Sequence, residues 1–475
     1  MPTATAPARA PRPRDKRPGP RRAARTVLSP LTAWLTRPLA SFHLLLAVFG
    51  LLTVFGLVMV LSASSVDSFT SAGSSYSVFG KQVLYCLAGL VFFYAALRAP
   101  VKLLRRISLP VMVACLVLLV LVLTPLGTEI NGAQSWFYVG VSFQPVEFAK
   151  IALAVWGAHV LVTKRALLTQ YRHLLVPVVP AALLMFALVV LQPDLGSTVT
   201  LFIVLAALLW FAGAPLRMFG VMLLGGVTAV VALAMVAEYR LARLTSFLDP
   251  TGDPSGSGYQ AMQARFALAD GGLFGRGLGQ GWSKWQYLPN VHNDFIFAVI
   301  GEELGFVGCL MVLVLYGTTA YAGMRIATRN TDPFIRLLSA TLTTWLVGQA
   351  VINIGYVVGL LPTTGLPLPL ISSGGSSVVT TMLVFGLLAN FARHEPEAIA
   401  ALRSLGPGRV GRLLRLPTPA PYRPPGRRRP RQSTPPSRPG AKSSGTAGAR
   451  RGSTTRARGT RNGPGSRAQT RGGHR

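Results

Sequence analysis

The chain has 475 residues, 51% of them apolar, with a mean hydropathy of +0.46 and a formal net charge of +32. That apolar content excludes an ordinary soluble domain, and the charge does not describe a nucleic-acid-binding face, because roughly 27 of its units fall in residues 1–41 and 398–475, where Asp15 is the sole acid. What remains is an all-α polytopic membrane protein with about ten transmembrane helices, both termini cytoplasmic and one large extracytoplasmic loop between the seventh and eighth spans.

In chain order, residues 1–41 are rich in Pro and Arg and have too little apolar surface to offset the entropy of ordering, so they read as a disordered cytoplasmic tail. The first apolar run begins near Phe42 and is full length, so no cleavable signal peptide is expected. Lys and Arg then sort the loops. The segments Arg98 to Arg106, Lys164 to Arg172, the Arg217 turn and Arg325 to Arg336 are basic and are placed in the cytoplasm. The alternate loops, Ser64 to Ser77, Gly127 to Phe143, Gln192 to Ser197 and Leu361 to Ser373, carry Asp67, Glu129 and Asp194 but no Lys or Arg, and are placed outside. Cys86, Cys115 and Cys309 each sit inside an apolar run and read as packing residues.

Within the fourth span, "FQPVEFAK" sets Gln144, Glu147 and Lys150 three apart on one face of a helix that Pro145 opens. Glu147 and Lys150 can pair, or the stripe can line a polar cavity where Lys150 holds a phosphate as a point charge. The outward loop, about 238–293, contains "YQAMQARFALAD", expected as a short helix with Met262 and Phe266 on the membrane, and the glycine-rich "GGLFGRGLGQG". Gly275, Gly277 and Gly279 lack the flanking strand and the Lys-Ser/Thr of a phosphate loop and read as tight turns that fold the loop back on the bundle.

Beyond that loop, "YLPNVHNDFIFAVIGEELG" gathers acids in a chain that otherwise avoids them. Asp294 stands beside His292 at the outer mouth of a helix, with Glu302 and Glu303 roughly 12 to 14 Å further along it. Carboxylates at that depth are costly unless paired, protonated or wet, so the cluster marks a functional site, with Glu302 and Glu303 holding the cavity together. A structural ion pair for the glutamates and a simple helix cap for Asp294 are the competing readings. The last membrane segments carry the broken, Pro- and Gly-rich "GLLPTTGLPLPLISSGGSS", and residues 394–475 read as a second disordered basic tail. The tails suit anionic lipid heads or an acidic cytoplasmic partner, and no nucleic acid.

There is no P-loop, GxSxG elbow, HExxH or Cys-based metal cluster. A bond made here then draws its energy from an already activated substrate, and transfer from a lipid-linked donor fits, with a carboxylate as general base on a sugar hydroxyl.

At this point the residues resemble the SEDS proteins of bacterial cell-wall synthesis, the FtsW, RodA and SpoVE group. The likeness runs from about Leu45 to Ala392 and rests on "MVLSASS", "INGAQSWFYVGVSFQPVEFAK", "LQPDLGS", "SFLDPTGDPSGSGYQ", "GGLFGRGLGQG", "YLPNVHNDFIFAVIGEELG" and "GLLPTTGLPLPLISSGGSS" in this order. The resemblance implies a SEDS-type glycosyltransferase domain over 42–393 that polymerises lipid II outside the cytoplasmic membrane with a class B penicillin-binding protein. It maps the family's essential aspartate onto Asp294, as the base on the acceptor GlcNAc 4-hydroxyl. Trp136, Glu147 and Lys150 match positions around the central cavity, and His292, Ser372 and Ser373 belong to motifs beside it. No resident metal ligand set is implied, although a divalent cation could help the pyrophosphate leave. "INGAQSW" has Gln134 where a basic residue is common, Asn293 stands where many members have Thr, and Ser373 where many have an aromatic. "MVLSASS", "YLPNVHNDF" and the long basic tail resemble the division branch of the family more than its elongation branch, which would make the tail a contact for other division proteins. Two further readings stay open: a lipid II transporter, and a non-catalytic scaffold for the transpeptidase.

Overall fold

A computed structural model describes residues 36–236, 257–285 and 292–422 together with Phe247, apart from Asn131, Val139, Val141 and Thr169. The expected disorder of 1–35 and 423–475, and much of the expected outward loop, lies outside the described residues.

The chain is helical nearly throughout, because each apolar run satisfies its own backbone as a helix. Among the described residues seven helices are long and apolar enough to cross a membrane: within α1 (Ala40–Ala72), α2 (Ser77–Arg98), α3 (Val101–Leu121), α4 (Pro145–Thr163), and the later helices Ile296–Arg329, Pro333–Val357 and Gly375–Ala392. Between them come the short α5 (Tyr171–Leu175) and the apolar α6 (Val178–Leu191), α7 (Leu195–Phe211) and α8 (Leu216–Val236), then α9 (Ser257–Asp270) in the outward loop. The set ends with α10 (Ile296–Arg329), α11 (Pro333–Val357), α12 (Gly375–Ala392), α13 (Pro396–Ser404) and α14 (Gly408–Leu413). Three shorter apolar helices, α6, α7 and part of α8, lie among them.

Some boundaries differ from expectation. The outward loop placed at Ser64 to Ser77 is mostly helix: α1 continues to Ala72 and stops at Gly73, whose left-handed conformation (φ 68°) ends the helix while its N–H donates to the Phe69 carbonyl. The Ser-rich stretch remains helical because Ser62, Ser64 and Ser68 face inward and are buried. The loop before α4 contains an unexpected antiparallel sheet of β1 (Thr128–Ile130), β2 (Ala133–Tyr138) and β3 (Ser142–Phe143), in which Trp136 pairs with Thr128 and Phe137 with Phe143. Residues 394–422, counted with the disordered tail, instead form α13 and α14, with Ile399 and Leu402 buried.

The apolar segment of α12 is 83% buried and that of α2 only 22%, which makes α12 central and α2 peripheral, with its outer face to lipid. The two nonetheless lie close. A β-carbon at Gly386 would meet the Phe93 carbonyl and Ala96, so the glycine permits the approach that packs membrane helices without a hydrophobic driving force. The basic segments converge at one end of the bundle: Arg105 pairs with Asp332, Arg329 with Glu397, and Asn390 donates to the carbonyls of Ala96 and Ala99 (2.9 and 2.7 Å). The segments that precede α4, α7 and α12 meet one another, with Gln144 donating to Asp194 and its N–H to Ser376 (2.9 and 3.2 Å).

Candidate active site

Asp294 lies just before α10, at the opposite end of that helix from Arg329 and its partner Glu397. Its carbonyl accepts hydrogen bonds from Asn353 Nδ2 (3.0 Å) and Tyr356 Oη (2.8 Å), and the same two side chains of α11 donate to the Leu366 carbonyl (2.7 and 2.9 Å). The turn before α10 and the extended segment after α11 are therefore stitched together through main-chain oxygens. Asp294 is half-buried, and a β-carbon built on Gly365 would stand 3.6 Å from its Oδ2, so the glycine leaves the carboxylate open space. The Phe295 ring packs edge-on against Tyr356 at 5.7 Å.

His292 and the serines join the same rim. The Ser373 N–H donates to the His292 carbonyl (2.9 Å), and Gln82 of α2 donates to the Ser372 carbonyl (3.4 Å) while accepting from the Gly374 N–H (3.3 Å). Ser372 is buried, and its hydroxyl accepts from the Leu368 N–H (2.7 Å), closing the turn. Burial holds the His292 imidazole below its ordinary 6.5 against the opposing field of Asp67 on α1, so it is neutral at pH 7.

A second polar cluster lies at the outer end of α4. Lys150 Nζ donates to Glu147 Oε1 (2.8 Å) and sits 5.0 Å from the Trp345 ring centroid, while Thr380 donates to Glu147 Oε2 (3.2 Å). Gln144 donates to Asp194 (2.9 Å), which caps α7 by accepting from the Ser197 N–H and hydroxyl (2.9 and 2.6 Å). The expected stripe therefore exists, as a closed internal network: Lys150 is fully buried, and its ammonium is taken by Glu147 and Trp345 in place of an open phosphate cradle. Sequence reasoning missed Asp194, Thr380 and Trp345. The cap pattern Asp-x-x-Ser in "QPDLGS" was the available signal for the first.

Both clusters abut the extended segment before α12. Gln349 donates to the Pro367 carbonyl (2.8 Å) and accepts from Trp345 (3.1 Å), and the Gln144 N–H donates to Ser376 (3.2 Å). Trp136 stands half-buried on the middle strand of the sheet.

Glu302 and Glu303 form a third group. Helix α10 breaks at Gly305 (φ 67°, ψ −164°), and the glycine-rich segment takes up the freed main-chain groups. The N–H groups of Arg276 and Gly277 donate to the carbonyls of Glu302 and Glu303 (3.0 and 2.9 Å), and those of Phe306 and Val307 donate to Gly272 and Leu273 (2.9 and 3.2 Å). A β-carbon at Gly275 or Gly305 would collide with the opposing backbone, so the glycines act as expected, folding the loop onto the bundle. The side chains fasten the same joint. Glu302 accepts from the N–H groups of Trp282 and Ser283, and buried Glu303 accepts from Ser62 (2.6 Å) and pairs with Lys284 (3.3 Å). Helix α9 forms as expected, but it packs on α10 through Ala264 and Ala267 and leaves Phe266 exposed. A cavity of about 570 Å³ opens between α9 and this loop, lined by Phe266, Asp270, Trp282 and Glu302 among others.

Among the described residues no three His, Cys, Asp or Glu side chains converge as metal ligands do. The geometry is that of a polytopic membrane protein with Asp294 half-buried at one end of the bundle and Glu147, Glu302 and Glu303 held in hydrogen-bonded networks. The family model described as "Cell cycle protein", covering FtsW, RodA and SpoVE, matches residues 42–397, and the chain belongs to that family. It is similar to the probable peptidoglycan glycosyltransferase FtsW of Mycobacterium tuberculosis, 55% identical over 83% of this chain and 75% of the relative. Stage V sporulation protein E of Bacillus subtilis is 37% identical over 70% of this chain and 92% of that one. Among solved structures, a chain from a peptidoglycan synthase complex that coordinates polymerization and crosslinking matches with a TM-score of 0.61 at 27% identity, covering 76% of this chain and 99% of its own. The rod shape determining protein RodA of Thermus thermophilus matches with a TM-score of 0.54 at 28% identity, covering 77% and 99%; its aspartate-to-alanine variant matches equally.

Proposed function

We propose that this chain is a peptidoglycan glycosyltransferase that polymerises lipid II at the outer face of the cytoplasmic membrane, with Asp294 as general base. The 4-hydroxyl oxygen of the acceptor GlcNAc attacks the anomeric carbon of the donor, the bond to the pyrophosphate oxygen breaks, undecaprenyl pyrophosphate leaves, and the hydroxyl proton passes to Asp294 with inversion at the sugar. The observation that carries this reading is the placement of Asp294: half-buried at the outer mouth, with its main chain held by Asn353 and Tyr356. Neutral His292 and half-buried Ser373 stand on the same rim as contacts for the sugar, and Trp136 offers a ring beside it. A class B penicillin-binding protein is the proposed partner, the division septum the proposed location, and residues 1–41 and 394–475 the proposed contacts to division proteins and anionic lipid; the similarity to FtsW supports these.

The test is polymerisation of purified lipid II by wild type and Asp294→Ala, with and without the partner, at matched folding and complex formation. Glycan chains from wild type alone are expected. Equal chains from both would remove Asp294 as the base, and none from either with the complex intact would favour a transporter or scaffold.

A further inference from the structure

At the basic end of the bundle a cavity of about 340 Å³ opens among the ends of α4, α7, α10 and α11. Its walls are apolar, with Leu161, Phe211, Met324 and Leu337 among them, and two guanidinium groups, Arg165 and Arg336, stand in its lining. Both arginines are exposed, and neither has a hydrogen bond or ion pair to its side chain among the described residues. Their neighbours differ: Arg105 is held by Asp332, Arg329 by Glu397, and Lys164 donates to the Val176 carbonyl (3.0 Å). Among the described residues, Arg165 and Arg336 are thus the cations that line this apolar hollow, and no structural partner holds either. Trp210 and Phe211, at the end of α7 beside the opening, are exposed, as aromatic side chains are at a membrane interface.

We propose that this cavity is a binding site for an anionic phospholipid of the cytoplasmic leaflet. Its phosphodiester lies between Arg165 and Arg336, since guanidinium matches phosphate oxygens with paired donors, and an acyl chain lies along Leu161, Phe211 and Leu337. Charge complementarity selects an anion, and the apolar lining selects a lipid over a soluble phosphate, which would leave those walls wet. The site is distinct from the outer mouth, and the lipid would clamp together the inner ends of four helices that come from distant parts of the chain.

The experiment is native mass spectrometry of the full chain in detergent, titrated with phosphatidylglycerol, phosphatidylcholine or glycerol 3-phosphate. Wild type is expected to retain one phosphatidylglycerol saturably and phosphatidylcholine weakly, and Arg165→Gln/Arg336→Gln is expected to bind roughly 30-fold more weakly, from two interfacial charges. Leu337→Trp, which fills the hollow and keeps both charges, should also lose the lipid, while Arg106→Gln, exposed on α3 and outside the hollow, should not. Folding of each variant is checked by size exclusion. Unchanged binding by the double variant, or an equal loss with Arg106→Gln, would overturn the site in favour of diffuse attraction. Competition by glycerol 3-phosphate as effective as by the lipid would overturn the lipid in favour of a free phosphate.

Discussion

The Glu147–Lys150 pair gives the sharpest test of how this bundle is built. Lys150 is fully buried and Glu147 nearly so, and the ammonium has the carboxylate at 2.8 Å and the Trp345 ring at 5.0 Å as its compensation for leaving water. Glu147→Gln leaves the ammonium with an amide oxygen and the ring, and a buried charge stripped of its partner costs about 3–5 kcal/mol. Lys150→Met strands the carboxylate on the single Thr380 hydrogen bond (3.2 Å) and loses the cation–π contact, so its cost is of the same order. Removing both charges takes away the desolvation penalty as well as the attraction, so Glu147→Gln/Lys150→Met should lie within about 1 kcal/mol of wild type, a coupling of at least about 3 kcal/mol. Equilibrium unfolding in mixed detergent–SDS micelles measures the cycle. Single variants as stable as wild type, or a double variant no better than the worse single, would refute the reasoning. Lipid II polymerisation by the same set separates the roles: a purely structural pair lets the double variant keep most of the rate, whereas a substrate contact leaves it as slow as the singles.

Three further perturbations address the loop joint and the inner end. Glu303→Gln removes the ion pair to Lys284 and weakens acceptance from Ser62, and should cost about 3 kcal/mol and speed protease cleavage within residues 271–285 at unchanged helicity by circular dichroism. Gly305→Ala forces a β-carbon into the left-handed region and against the backbone of Leu273 and Gly275, and should cost more than about 2 kcal/mol in the same unfolding assay; Gly317→Ala, in open space on the same helix, should be neutral or slightly stabilising. His394, just beyond α12, is held below its ordinary 6.5 first by burial, so the unfolded chain binds the proton more readily. Its contribution is whole above pH 6.5 and is lost as pH falls toward the folded value, so Tm should drop between pH 7.5 and 5.5, and by less in His394→Gln.

Hydropathy and charge made the bundle legible because spanning helices need long apolar runs and basic loops stay on one side. The pairing of Glu147 with Lys150 was legible too, since the two are three apart on one helix, but their closure by Trp345 and Thr380 comes from α11 and α12, far away in sequence. The break at Gly305 could not be read from "GEELGFVG", which keeps an apolar helical character on both sides. It exists because a segment some thirty residues upstream supplies four hydrogen bonds at that point. The three short strands before α4 were hidden for the opposite reason: β1 and β3 are three and two residues long, below the length at which alternation is a signal.

The acids of "HNDFIFAVIGEELG" look alike in sequence, yet the fold sorts them by which atoms carry the structure. Glu302 and Glu303 spend their carboxylates on Ser283, Ser62 and Lys284, so both serve to fasten the loop joint. Glu147 is tied to Lys150 in the same way. At Asp294 the bonds from α11 run to the main-chain carbonyl instead, from the neutral side chains of Asn353 and Tyr356. Those contacts fix where the residue stands without drawing on the carboxylate oxygens. The latch at Glu302 and Glu303, eight and nine residues along the same helix, fastens the outward loop to α10 just inside the mouth. Rigid placement of a half-buried aspartate by main-chain atoms is the arrangement that proton transfer from a sugar hydroxyl requires.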